Sequence, residues 1–187
     1  MSAARVLTWE VSASRGFETA WVQLRGGVLR ARGRAVGTEP EPYWVTYDLD
    51  TADPFVTRRL RVTVESAGGS RTLDLTHDGG GAWAADGERL PDVDGALDCD
   101  LGLCPLTNTM PVLRHGLHRG PGELEFVMAW VSVPDLTVRP SRQTYTHLRP
   151  GRVRYASGDF RSDLEFDEEG FVVDYPALAT RLAAAPR

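Results

Sequence analysis

From Ala4 onward the chain is written in short stretches whose apolar and polar residues alternate. ARVLTWEV, TAWVQLR, VLRARGRAV, YWVTYDLD, FVTRRLRVTVE, RTLDLTHD and GAWAAD come first, and ELEFVMAWVSV, QTYTHLR, RVRYAS, DFRSDLEFD and GFVVDY follow after residue 122. A period of two is that of a β-strand with one face buried. Turn signals separate the stretches: Arg25-Gly26-Gly27, Ala67 to Ser70, Asp78 to Gly81, Asp86-Gly87, Arg119 to Gly122, Pro150-Gly151 and Glu168 to Gly170. Many short strands so spaced predict one continuous antiparallel sheet, and the helix-then-strand repeat of a parallel sheet is absent. The alternation also assigns faces, with Leu60, Val62 and Val64 on one and Arg61, Thr63 and Glu65 on the other. An apolar sheet face must be covered. With few helical segments available, this sheet is expected to roll upon itself or around a short central element. The expected fold is all-β, one domain over residues 1–187.

Two places break the pattern. From Asp174 through Ala185 an aspartate precedes Pro176, and Leu178 and Leu182 lie four apart in alanine-rich sequence. This predicts a short C-terminal helix. The other is CDLGLCPLTNTMPVLR, residues 99–114. Pro105 suits a first helical turn, Asn108 or Thr109 can cap a turn beginning near Pro111, and Leu106, Met110 and Leu113 share one helical face. Two prolines and two threonines are poor helix formers, so burial inside the rolled sheet is needed to hold this segment.

Charge and composition exclude several classes. All 21 basic residues are arginine, in a chain of net charge −5. RARGR, Arg30 to Arg34, alternates with small residues as the solvated face of a strand does, and nucleic-acid binding is not expected. The longest nearly apolar run, Phe126 to Val133, falls far short of the ~20 residues of a membrane helix. The first residues lack the pattern of a secretion signal, so a cytoplasmic location is expected. Cys99 and Cys104 cannot form a disulfide framework and read as packed free thiols. No Cys or His pair has metal-site spacing, and no cofactor is expected.

The segment around residues 98–114 allows three readings. Thr107, Asn108 and Thr109 donate and accept, Arg114 offers a planar fork of donors, and Asp98 and Asp100 accept. Together they suit a polar head group, with Tyr145 or Trp44 stacking beside it. The same groups could satisfy one another and the backbone in a buried plug, as in a structural dimeric module without ligand. An enzyme acting on a small lipid or sugar would use the Asp98/Asp100 pair or Cys104. Exposed strand edges need a partner or a cover, and a homodimer is expected.

The order D-x-D-L-x-x-x-P-x-T-N-T-x-P-x-x-R, here Asp98, Asp100, Leu101, Pro105, Thr107, Asn108, Thr109, Pro111 and Arg114, resembles the bacterial glycolipid-binding protein family, long catalogued as a domain of unknown function. Trp9 and Glu18, Tyr43-Trp44 with Tyr47, Gly81 before Trp83, Pro134, Gln143 to Tyr145, Asp167 with Gly170, and Asp174-Tyr175-Pro176 extend the resemblance over nearly the whole chain. One departure is Leu113 before a single Arg114, where the family often has two adjacent basic residues. The resemblance implies a spiral β-roll wrapped around one helix, dimeric. It also implies non-enzymatic binding of an amphipathic ligand, a glycolipid, in the lumen. Asp98, Asp100, Thr107, Asn108, Thr109, Arg114, Tyr145 and Trp44 are the expected ligand contacts.

Overall fold

The structure, a computed structural model, describes residues 4–183. Its strands are β1 (Arg5–Val11), β2 (Gly16–Arg25), β3 (Val28–Gly37), β4 (Tyr43–Ala52), β5 (Val56–Ser66), β6 (Gly69–His77), β7 (Trp83–Ala85), β8 (Glu88–Arg89), β9 (Asp98–Leu101), β10 (Glu123–Val131), β11 (Val138–Arg149), β12 (Arg152–Ser157), β13 (Phe160–Phe166), β14 (Val172–Tyr175) and β15 (Ala179–Arg181). A 3₁₀ turn over Pro105–Asn108 leads into the α-helix α1 (Thr109–His115).

All fifteen strands form one sheet in the order β8-β7-β6-β5-β4-β3-β2-β1-β15-β14-β13-β12-β11-β10-β9. Sequence neighbours pair antiparallel, except that β1 joins β15 and that β9 lies parallel to β10. The first and last described strands therefore meet in mid-sheet, and the middle of the chain supplies both edges. Laid flat, fifteen strands at ordinary spacing would be about 67 Å wide. The chain passes from the β8 edge to the β9 edge in residues 90–97, which reach about 30 Å at most. The sheet has to roll. The Thr57 N–H of β5 donates to Leu97 O, and the Cys99 N–H of β9 donates to Thr57 Oγ1, which ties the β9 edge back onto β5.

The inward face follows the alternation. Val45, Tyr47 and Leu49 stand opposite Val64, Val62 and Leu60, all buried. Gly33 on β3 faces the Tyr47 ring, which a Cβ there would meet at 2.0 Å, so only glycine lets that ring lie flat across the sheet. The Arg30, Arg32 and Arg34 side chains point outward as expected. Trp9, Trp83, Tyr47, Tyr145 and Phe171 are each less than 2% exposed and fill the interior with the 3₁₀ turn and α1.

The predicted central helix is present. Gly116, in the left-handed conformation, caps α1 through N–H bonds to Leu113 O and Val112 O. The predicted C-terminal helix is not, as far as the described residues reach; residues 184–185 lie outside them. The chain from Val172 is strand, turn and strand. Without β15 the backbone groups of β1 facing that side would lack partners, and tertiary pairing outweighs the local helical spacing. Leu178 packs against the core while Leu182 is exposed, so the two do not share a face.

Candidate functional site

The 98–114 segment sits at the centre of the roll because both its flanks are anchored. β9 pairs with β10 on one side, and Pro105, which has no N–H to lose, starts the 3₁₀ turn on the other. Pro105, Leu106, Thr107, Asn108, Thr109 and Met110 are all buried.

Within this segment the polar atoms find one another. Arg114 grips Asp98 with two parallel bonds, Nη1 to Oδ1 at 2.8 Å and Nη2 to Oδ2. The pair is nearly inaccessible, with side chains 6% and 1% exposed. The guanidinium also lies 5.8 Å from the Phe126 ring centroid. Burial pushes the Asp98 carboxyl upward and the Arg114 charge opposes it. Asp100 has separate partners: Gln143 Nε2 donates at 2.6 Å to Oδ2, and the Thr107 hydroxyl lies 2.9 Å from Oδ1. Thr107 Oγ1 also accepts the Leu101 N–H. The network continues from Gln143 Oε1 to the Tyr145 hydroxyl, which accepts from Asn108 Nδ2 at 2.9 Å. Asn108 makes no side-chain cap; its amide turns to β11 instead. Thr109 Oγ1 is buried without a partner.

This arrangement bears on acid–base and thiol chemistry. The two aspartates have different partners and share no proton between them. Burial raises Asp100, opposed by its bonds to Gln143 and Thr107. Burial also pushes Cys99 up to about 12 and Cys104 well above its ordinary value, which disfavours the thiolate a nucleophile needs.

Seven of the eight expected contacts thus gather in the middle of the roll: Asp100, Thr107, Asn108 and Tyr145 share one network with Gln143, Asp98 and Arg114 form a separate pair, and Thr109 has no side-chain partner. The eighth, Trp44, does not join them. It alternates with inward Tyr43 and Val45 and stands on the outer face of β4, 65% exposed. Directly across the strands lie Val36 of β3 and Phe17 of β2, 45% and 48% exposed. These three form the apolar wall of an open groove of about 520 Å3, whose rim includes Arg15, Thr38, Ser66 and Glu65. A second groove, about 560 Å3, is lined by His118, Arg119, Pro150, Gly151 and the turn from Phe166 to Glu168. Strand parity is the sequence signal that separates Trp44 from Tyr145 and adds Phe17 and Val36. Gln143, central to the buried network, is apparent in the sequence only through the family pattern.

The architecture defines a class: an all-β protein whose rolled sheet encloses a short polar-lined helix. A family profile described as "Putative glycolipid-binding" matches residues 6–181, and the chain belongs to that family. It is similar to a DUF1089 family protein from Pseudomonas aeruginosa, solved by crystallography at 1.80 Å. Identity is 35%, coverage is 88% of this chain and 92% of that one, and the TM-score is 0.76. No curated protein matches this chain. Among the described residues, no helix is long and apolar enough to cross a membrane.

Proposed function

We propose that this protein binds an amphipathic glycolipid without transforming it, and that the ligand lies in the groove beside Trp44. The observation that carries the reading is the groove itself: an exposed indole, a phenyl ring and a valine in one row, with hydroxyl, carboxylate and guanidinium groups at the rim. Aromatic faces stack on the C–H faces of sugars, apolar walls take alkyl chains, and polar rims fix hydroxyls. Asp98, Asp100, Thr107, Asn108, Arg114 and Tyr145 hydrogen-bond among themselves and the backbone, and Thr109 is buried among them. Their proposed role is to hold the plug that supports the roll. The test uses n-octyl β-D-glucoside below its micellar concentration, followed by tryptophan fluorescence. Saturable binding is expected, weakened roughly tenfold or more by Trp44→Ala, since covering a large apolar side chain contributes about 1.5–3 kcal/mol. Glucose and 1-octanol should each bind more weakly than the joined molecule. Unsaturable titration, or equal binding by Trp44→Ala, would remove the groove reading.

We also propose a homodimer formed through the β6 edge. Along β6, β7 covers only Leu75–His77, and Asp86 covers the backbone of Asp74. Among the described residues, Gly69–Leu73 has no neighbouring strand on that side. An open edge is a template for another strand. Light scattering is expected to give twice the 20.5 kDa chain mass, and Thr72→Pro, which inserts a residue that clashes with strand pairing, should shift it toward monomer. A monomer in the wild type would sink this proposal.

A further inference from the structure

The outer face of β1–β3 continues past the groove. Trp21 on β2 is 64% exposed and stands opposite Val6 of β1, 58% exposed, and Arg32 of β3. Leu182, 45% exposed, lies beside Thr8, bonded to its carbonyl. Two residues along each strand, a row of Thr8, Thr19, Arg34 and Thr46 separates Trp21 from the Phe17–Val36–Trp44 row. The outward charged side chains of β1–β3 are Glu10, Arg25, Arg30, Arg32 and Arg34. Four cations oppose Glu10 on these strands, and Asp48 and Asp50 of the adjoining β4 offset two of them, which leaves a net positive face in a chain whose net charge is −5. Arg30 and Arg32 lean toward Asp50 and Asp48 at 3.6 and 3.2 Å, yet remain 68% and 85% exposed.

Indole has an apolar body and a polar N–H, and it collects at the boundary between water and lipid. Arginines beside it are drawn to anionic head groups and screened by salt. We propose that the outer face of β1–β3, with Trp21 at its centre, docks onto the surface of an anionic lipid bilayer. This rests on the reading of the adjoining groove as a glycolipid site, which would meet its ligand there. Charge decides between occupants. A second copy packed on this face about a two-fold axis would set the arginine cluster against itself, whereas anionic head groups complement it.

The test is sedimentation with two sets of vesicles free of glycolipid, one of phosphatidylcholine and one containing about a third phosphatidylglycerol. The full chain is expected to sediment with the anionic vesicles, to be released by about 0.5 M salt, and to stay in solution with the neutral ones. Trp21→Ser and Arg34→Glu each lie on the surface and should lower the bound fraction about tenfold or more. Leu148→Ser, at an exposed apolar residue on β11 outside this face, should leave it nearly unchanged. Failure of octyl glucoside binding with vesicle binding intact would strike the groove alone; the converse would strike this proposal alone. The inference is overturned if the wild type ignores both vesicle types, or if Trp21→Ser binds as well as the wild type. It is also overturned if that substitution splits a dimer seen by light scattering.

Discussion

Arg114→Met is expected to destabilise the fold by about 3–5 kcal/mol at neutral pH. Asp98 is 1% exposed, and Arg114 provides two charge-assisted bonds to it. Methionine fills much of the same volume but leaves a carboxylate in the interior without its cation. The cost should depend on pH. With Arg114 gone, burial acts on Asp98 largely unopposed, and its folded-state pKa rises further above the unfolded value. The folded variant then holds a proton that the unfolded chain releases, so it loses stability as pH rises through the interval between the two values. The deficit relative to wild type should therefore be smallest in acid. Asp98→Asn combined with Arg114→Met removes the stranded charge and should recover a large part of the loss. Urea midpoints for the wild type, both single variants and the double variant form the cycle. A single variant within about 0.5 kcal/mol of wild type would mean that the pair does not hold the plug. If Arg114 were a ligand contact, its loss would abolish glycoside binding at unchanged urea midpoint.

The part of the molecule legible in the sequence is the part governed by local periodicity. Alternation in Leu60 to Glu65 assigns both faces of β5, and the same parity places Arg30, Arg32 and Arg34 outside. The helical spacing of Leu106 and Met110 with Pro105 ahead marks the central plug. What alternation does not contain is which strand neighbours which. The β1–β15 pairing joins residues more than 160 positions apart, and it converts the Asp174–Ala185 helix signal into strand as far as residue 181. The candidate site is less legible for a related reason. Asp98, Asp100 and Arg114 look like ligand groups when their partners are unknown, but Gln143 lies 43 positions from Asp100 and Tyr145 lies 37 from Asn108. Polar residues that meet only after folding carry no local mark that separates a network closed on itself from one open to a guest. Trp44 is the counter-case, because parity alone suffices to put it outside.

Glu18→Gln is expected to flatten the dependence of stability on pH. Glu18 lies on β2 opposite Trp9, and both are 0% exposed. Its Oε1 accepts the Tyr47 hydroxyl, the Leu106 N–H that opens the 3₁₀ turn lies near the carboxyl, and Oε2 is buried without a partner. Burial pushes the pKa up to about 7, against 4.5 for the free side chain, even though the Tyr47 and Leu106 donors pull it down. Between those values the folded chain keeps a proton that the unfolded chain has released. Stability from this group is therefore highest below about 4.5, falls as pH rises toward about 7, and stays low above it, a span on the order of 3 kcal/mol. Tyr47 and Cys104, which sense the same charge, are both shifted upward and stay neutral across this window. Burial lowers His115 and His118; neutral when buried, they favour the fold more as pH rises and would partly mask the Glu18 slope. Comparison with the variant cancels their contribution. Glutamine keeps an oxygen for Tyr47 but buries an N–H₂ group, at a cost of about 1–3 kcal/mol that does not change with pH. The telling quantity is thus the change in the wild-type-to-variant gap between pH 4.5 and pH 8, read from urea midpoints. The gap should move in favour of glutamine by about 3 kcal/mol. Parallel curves would mean that Glu18 is ionised in the fold throughout, and that the core of the roll holds a bare carboxylate beside Trp9 at no measurable expense.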